Sequence, residues 1–221
     1  ENIACMIEIN SETDFVSRNE VFQDFVRNCS FLSINANADV QELSQMKYIN
    51  SENTVQEELT KNIATIGENL NIRRIEEVKS INDGLIVSYV HNSVSKNLGK
   101  IAVLVCLESE GDKEILEKIG KEIAMHIAAT KPLAINVNNL DSKVVENEKK
   151  ILKEQTLSSG KPMEIVDKIV QGKLKKFYQD VVLEEQIFVI DGKSPIKQIL
   201  QEFSSKLGNK NKIVDFKILI L

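Results

Sequence analysis

Residues able to do conventional chemistry are sparse in this 221-residue chain: two histidines, three cysteines, and an acid pair, Glu12 and Asp14, in one short polar segment. Two carboxylates supply fewer oxygens than a bound Ca²⁺ or Mg²⁺ requires, so the pair alone is not a cation site. Cys5, Cys29 and Cys106 all fall inside apolar periodic segments, and none shares the C-x-x-C spacing of a zinc or redox site. Gly160-Lys161 would end a phosphate-cradling G-x-x-x-x-G-K-[ST] loop, but position 155 is Gln. G-x-G-x-x-G and H-E-x-x-H are also absent. His126 lies beside the apolar face of a helical pattern and reads as a residue at the edge of the core. His91 ends a strand pattern at the mouth of a polar loop, residues 92–97, where side chains more often carry function. To act as a base it would need a nucleophile supplied by the fold.

A different feature stands out in Ser11-Glu12-Thr13-Asp14-Phe15-Val16-Ser17-Arg18-Asn19-Glu20, where one large aromatic sits in a polar turn. Ser17 and Glu20 are spaced as a capping box for the next helix, and Val16 with Val21 occupy its staple positions. Val16 therefore has a structural role, whereas Phe15 either folds back on the core or stands out for a partner.

The elements that position this turn follow from periodicity. Ile3, Cys5, Ile7 and Ile9 alternate as a half-buried strand. Val21, Phe22, Phe25, Val26 and Cys29 form a helical stripe. Residues 35–60 are polar, with a helix around 55–66 that Gly67 stops. Strands are predicted over 72–78, 85–91 and 101–107, with Asn82-Asp83-Gly84 turning between the first two. A helix over 112–129 carries Leu116, Ile119, Ile123 and Ile127 and ends at Pro132. Ile3 to Glu12 aligns without a gap with Ile101 to Glu110, each copy a strand, then Ser-Glu, then a helix. This faint repeat predicts two related α+β subdomains.

Residues 141–178 read as an antiparallel helical hairpin with narrow seams. Val144, Val145, Glu148, Ile151, Leu152 and Gln155 form one, and Val166, Ile169, Val170, Lys173, Leu174 and Phe177 the other. Ser158 to Pro162 breaks between them, with Pro162 in the first turn of the second helix. Such thin seams bury little, so the hairpin is expected to project, either as a partner arm or as a solvated strut. Ser194 and Pro195 open a last helix at N-cap and first-turn positions, and Val214, Phe216, Ile218 and Ile220 alternate as a closing strand. The expected division is 1–80 and 81–140 as the two core subdomains, 141–180 as the hairpin, and 181–221 as the closing helix and strand of the second subdomain.

Composition narrows the function classes. At 42% hydrophobic and 28% charged, the chain has an ordinary globular make-up. A net charge of −5 and a 24 to 4 excess of Lys over Arg argue against a general nucleic-acid binder. No apolar run approaches the roughly 18 residues of a membrane span, and three thiols in apolar segments suit the reducing cytoplasm. The chain begins at Glu1, without Met and directly before a strand pattern, as a fragment lacking an N-terminal piece would.

Five segments, in order, resemble the elongation factor Ts family, the guanine-nucleotide exchange factors for elongation factor Tu. They are Ser11-Glu12-Thr13-Asp14-Phe15-Val16, Ile66-Gly67-Glu68-Asn69-Leu70-Asn71-Ile72-Arg73-Arg74, His126-Ile127-Ala128-Ala129-Thr130-Lys131-Pro132, Gly160-Lys161-Pro162 through Lys176-Phe177-Tyr178, and Leu183-Glu184-Glu185-Gln186-Ile187-Phe188-Val189. The resemblance implies an α+β fold with two related antiparallel-sheet subdomains and a protruding helical hairpin. It implies that Thr13, Asp14, Phe15 and Val16 contact the GTPase domain of elongation factor Tu and help dislodge its Mg²⁺. Ile66, Gly67 and His91 would be further contacts. It implies no cofactor and no catalytic residue of the chain's own. The chain departs from the family pattern in three ways. The family's small N-terminal helical domain is not in this sequence, Ser11 stands where Cys is common, and Asn92 to Leu98 replaces a glycine pair after the contact histidine.

Other readings remain open from sequence. The chain could be a docking or dimerisation module without exchange activity, including a homodimer through its core. An RNA-binding hairpin would show steep salt dependence. An enzyme using His91 would need a pocket of about 300 Å³ or more lined by His91 and an acid.

Overall fold

The computed structural model describes residues 3–160, 162–208 and 210–221. Glu1 and Lys161, the latter within the break between the hairpin helices, lie outside the described residues. The chain forms two compact units, residues 1–128 with 213–221, and residues 129–212.

In the first unit, strand β1 (Ile3–Asn10) leads through a 3-10 turn, Val16–Arg18, into helix α1 (Glu20–Ser33). Helices α2 (Val40–Gln45) and α3 (Val55–Ile66) follow, then strands β2 (Asn71–Lys79), β3 (Gly84–His91) and β4 (Ile101–Glu108), and helix α4 (Lys113–Thr130). Strand β5 (Lys212–Ile220) returns at the end of the chain. Strand β1 pairs antiparallel with β2, β3 pairs antiparallel with β4, and β5 lies along the other edge of β4. The Asn82-Asp83-Gly84 turn thus passes from one sheet to the other and does not close a hairpin.

Alternation along the strands builds the layers. Ile9, Ile72 and Ile75 face Phe22, Phe25 and Cys29 of α1, Leu43 of α2, and Val55 and Leu59 of α3. From the opposite face of the two-stranded sheet, Met6 and Val78 meet Leu104, Cys106 and Leu219 of the three-stranded one. Helix α4 covers the outer face of that sheet, with Gly120 against Val87 and Leu107. Its stripe is buried as the periodicity predicts, at Leu116, Ile119, Ile123 and Ile127, and His126 is fully buried with it. Each copy of the sequence repeat forms a strand followed by a helix, β1 with α1 and β4 with α4, although β1 is an edge strand of its sheet and β4 the central strand of its own.

Several local details differ from the sequence reading. Asn19, not Ser17, caps α1; its side chain accepts from the amides of Val21 and Phe22 at 2.9 and 3.2 Å. Ser17 is consumed by the 3-10 turn and donates to the Asp14 carbonyl at 2.6 Å. With the cap at Asn19 the staple positions move to Arg18 and Gln23, so Val16 is buried while Val21 is exposed. Helix α2, capped by Asp39, was not predicted, because six residues burying only Leu43 give no periodic signal. Helix α3 has a true capping box, Thr54 with Glu57, and ends at Gly67 in the left-handed region, φ 79°. In β5 the most buried residues are Ile213 and Leu219, which lie out of phase with the alternating Val214, Phe216, Ile218 and Ile220. Both faces of this strand are half covered, so alternation does not mark one side.

The sheet register slips by one at the end of β1: Glu8 faces Arg74 while Ile9 faces Ile72. Arg73 is the extra residue, and a bulge of this kind re-aims side chains. Both guanidiniums converge on the buried Glu8 carboxylate, at 3.1 Å from Arg73 and 2.6 Å from Arg74.

The second unit holds helices α5 (Ser142–Ser158), α6 (Met163–Val181) and α7 (Ile196–Leu207). Helices α5 and α6 form the predicted hairpin, and its inner seam is thin. Leu152, Val166 and Val170 are buried, and Leu174 packs against them. The α5 seam is rotated from the predicted one: Val144 and Ile151 are exposed, while Thr156 is buried. Pro162 and Pro195 each stand one position earlier than predicted, as N-caps, within the usual spread of helix ends.

Candidate functional site

The turn between β1 and α1 sets two adjacent side chains in opposite directions. Val16 is 5% exposed and joins the core under α1, whereas Phe15 is 85% exposed. Of the two placements left open for Phe15, the outward one is found. The 3-10 turn that follows accounts for this: the Arg18 amide bonds the Phe15 carbonyl and the Asn19 amide bonds the Val16 carbonyl. Val16 is thereby carried inward and can act on a partner only from beneath the surface.

The rest of the turn is tied by polar links. The Thr13 amide and hydroxyl both donate to the Glu68 carboxylate, at 2.9 and 2.5 Å. The Glu12 carboxylate accepts from the Asn69 amide at 3.3 Å. The Asp14 carboxylate accepts from the Lys100 ammonium at 2.8 Å. That hydrogen bond, reinforced by the ammonium's charge, holds the Asp14 pKa below the ordinary carboxylate value although the group is fully exposed.

Ile66 and Gly67 lie close by in sequence to these anchors. Ile66, half-buried, packs against the first core cluster. Gly67 is exposed, and its left-handed conformation aims the chain from α3 into Glu68 and Asn69. The segment Ile66-Gly67-Glu68-Asn69 thus meets the Thr13 turn through its last two residues.

His91 is exposed at the end of β3, its Nδ1 2.9 Å from the Tyr89 hydroxyl. Beyond it, Asn92 to Leu98 build an ordered loop. Val94 and Leu98 bond at 2.8 Å, and the Leu98 amide closes a turn onto the Ser95 carbonyl at 3.0 Å. Asn92 and Asn97 take positive φ, 49° and 61°, the left-handed positions that asparagine tolerates best after glycine. Arg27 of α1 donates to Ser95 at 2.8 Å, so the loop is fastened to the same helix that follows the Phe15 turn.

Between the turn and the β3–β4 connection lies a cleft of about 670 Å³, walled by residues such as Met6, Ile9, Phe22, Tyr89 and Leu104, with Asp14 and Lys100 among its lining. His91 is not among its lining residues, so this cleft is not the His91 pocket that an enzyme reading requires. Among the described residues no cluster of His, Cys, Asp or Glu could hold a metal ion, and no helix is long and apolar enough to cross a membrane. The hairpin is less basic than its lysines suggest, with nine lysines against seven acids over 141–180.

Sequence reasoning singled out Thr13, Asp14, Phe15, Val16, Ile66, Gly67 and His91. Thr13, Asp14, Phe15 and Val16 share one turn, and Ile66 and Gly67 lead into Glu68, which holds Thr13 of that turn. His91 lies at the mouth of the neighbouring β3–β4 loop. Missed were Glu68 and Lys100, the partners of Thr13 and Asp14. Glu68 lies inside a recognised motif, whereas nothing local marks Lys100.

Residues 12–220 match the family profile described as Elongation factor TS. The chain is 44% identical to elongation factor Ts of Rhodospirillum centenum over 213 residues, covering 96% of this chain and 69% of that protein. It is 46% identical to elongation factor Ts of Methylorubrum populi and 42% identical to that of Bartonella henselae, with the same coverage in each.

Proposed function

The chain belongs to the elongation factor Ts family, and from this premise we propose that it is a guanine-nucleotide exchange factor. It binds elongation factor Tu carrying GDP, displaces the bound Mg²⁺ and promotes GDP release during translation elongation. It works as a cytoplasmic protein without a cofactor of its own, and it makes or breaks no covalent bond.

The observation that carries this reading is the exposure of Phe15, a large apolar side chain that the chain's own core leaves unused. A GTPase holds GDP through backbone donors, a lysine and a Mg²⁺ that neutralises phosphate charge. Disturbing the Mg²⁺ site leaves that charge uncompensated and weakens nucleotide binding. Phe15 inserts into an apolar gap on the partner, with Asp14 beside it, while Ile66, Gly67 and His91 widen the contact. Burying one Phe contributes about 1.5–3 kcal/mol, or roughly ten- to a hundredfold. Larger accelerations need the other contacts as well. Coupling is reciprocal, so GDP weakens binding of this chain by the same factor by which the chain weakens binding of GDP.

The test is release of a fluorescent GDP analogue from elongation factor Tu, followed by stopped flow with saturating chain and with Phe15→Ala. Acceleration that falls at least tenfold in a folded variant is the expected result. Binding without acceleration would reduce the chain to a docking module, and no binding would remove the proposed function.

A further inference from the structure

Packing alone does not fix the residues around Phe15. Of the turn, only Val16 is buried; residues 12–15 are exposed, and the cleft of about 670 Å³ opens on one side. A turn with so little apolar contact owes its orientation to polar links. Two of these reach it from separate, well-anchored elements. Glu68 follows the Gly67 cap of α3 and receives both Thr13 donors, at 2.9 and 2.5 Å. Lys100 immediately precedes β4. Its carbonyl accepts from the Leu221 amide at 3.0 Å, and its neighbour Gly99 sits so close to Val90 and the His91 carbonyl that a Cβ would meet them at 2.6 and 3.0 Å. The ammonium then spans to Asp14, 86 residues away in sequence.

We propose that Glu68 and Lys100 are positioning residues for exchange, a two-sided clamp that holds residues 13–15 in one orientation and presents Phe15 preorganised to the partner. The inference rests on the exchange reading for its functional consequence, but the clamp itself is a property of the free chain. Preorganisation matters because ordering a loose turn during binding costs conformational entropy that would otherwise offset the contact of the ring. Each exposed link on its own is weak, so single removals have modest effects and joint removal a larger one.

The experiment uses the full chain carrying 4-fluorophenylalanine at position 15, with Lys100→Gln, Glu68→Ala and the double variant. Lys100→Arg serves as the conservative control. Fluorine NMR reads the order of the ring, and amide hydrogen exchange reads the protection of Thr13. The clamp predicts that Thr13 exchanges faster in Glu68→Ala, and that the fluorine resonance moves toward its unfolded position in the double variant. The melting midpoint stays unchanged throughout. GDP release then slows about two- to fivefold in each single variant and about tenfold in the double, with Lys100→Arg near wild type. An unchanged fluorine signal and unchanged Thr13 protection in the double variant overturn the clamp, whatever the exchange rates. If these signals loosen as predicted but the wild-type chain does not accelerate GDP release, the clamp stands and the exchange reading falls.

Discussion

Phe15 and Val16 are neighbours in sequence and opposites in burial, 85% and 5% exposed, because a 3-10 turn begins between them. The aromatic is the larger apolar side chain, yet the core takes the valine.

Substituting the two in turn separates presentation from anchorage. Phe15→Ala is expected to shift unfolding free energy by no more than about 0.5 kcal/mol, as for an exposed site. Val16→Ala should cost about 1.5–3 kcal/mol through lost burial and a residual cavity. Denaturant titration of both variants checks this. Equal losses would mean that the Phe15 ring is packed in solution.

The Glu8 carboxylate is 1% exposed, whereas its partners Arg73 and Arg74 are 59% and 41% exposed. This asymmetry sets an order of effects. Glu8→Ala leaves two guanidiniums that water can still reach, at a cost of about 1–3 kcal/mol. The double variant Arg73→Ala/Arg74→Ala strands a buried carboxylate and should cost about 3–5 kcal/mol. Chemical denaturation should rank the double arginine variant below Glu8→Ala, and the reverse order would mean that the carboxylate is solvated.

Much of this architecture was legible because its signals are local. The β1–α1 and β4–α4 copies announce themselves by alternation followed by a helical stripe, and Gly67 by its place after a helical pattern. Helix α2 was not, since one buried leucine in six residues carries no period. The cap of α1 was misplaced because Ser17 and Asn19 are both good caps, and only the 3-10 turn decides between them. The bulge at Arg73 was invisible, because an extra residue in one strand shows only against its partner. Lys100 and Glu68 were missed for the same reason: their partners lie 86 and 55 residues away, and the pairing of distant elements brings them together.

Burial pushes the Cys29 thiol up from its ordinary value of 9.0 to about 12. An unfolded chain gives up this proton at a lower pH, so the folded state is the one that retains it. The resulting stability is complete below the unfolded pKa and is lost as pH rises toward the folded value. Between pH 9 and 10.5 the loss from this group is on the order of 1–2 kcal/mol. Urea titrations at the two pH values should show the fall, and Cys29→Ala, though less stable at pH 8, should show a smaller one. At pH 8 a thiol reagent should leave Cys29 unmodified in the folded chain, since the thiolate is the reacting form.

Gly120 sits inside α4, where an alanine would ordinarily stabilise the helix by about 1 kcal/mol. Here a Cβ would meet Val87 Cγ2 at 2.6 Å, its Cβ at 3.1 Å and Leu107 Cδ1 at 3.2 Å. Val87 is β-branched and fixed in a strand, so it has no free rotamer to yield. The helix must instead lift from the sheet, at a cost typical of overpacking, about 1–3 kcal/mol. The clash outweighs the propensity gain, and Gly120→Ala is expected to be destabilising overall. Val87→Ala opens a cavity at the same contact and is destabilising as well. Together the two changes exchange volume across one interface, so the double variant should be more stable than the sum of the single losses predicts, by about 0.5–3 kcal/mol of coupling. A double-mutant cycle by urea unfolding measures this term. A coupling of zero would mean that α4 and β3 do not approach closely at Gly120, and the glycine would then need another explanation.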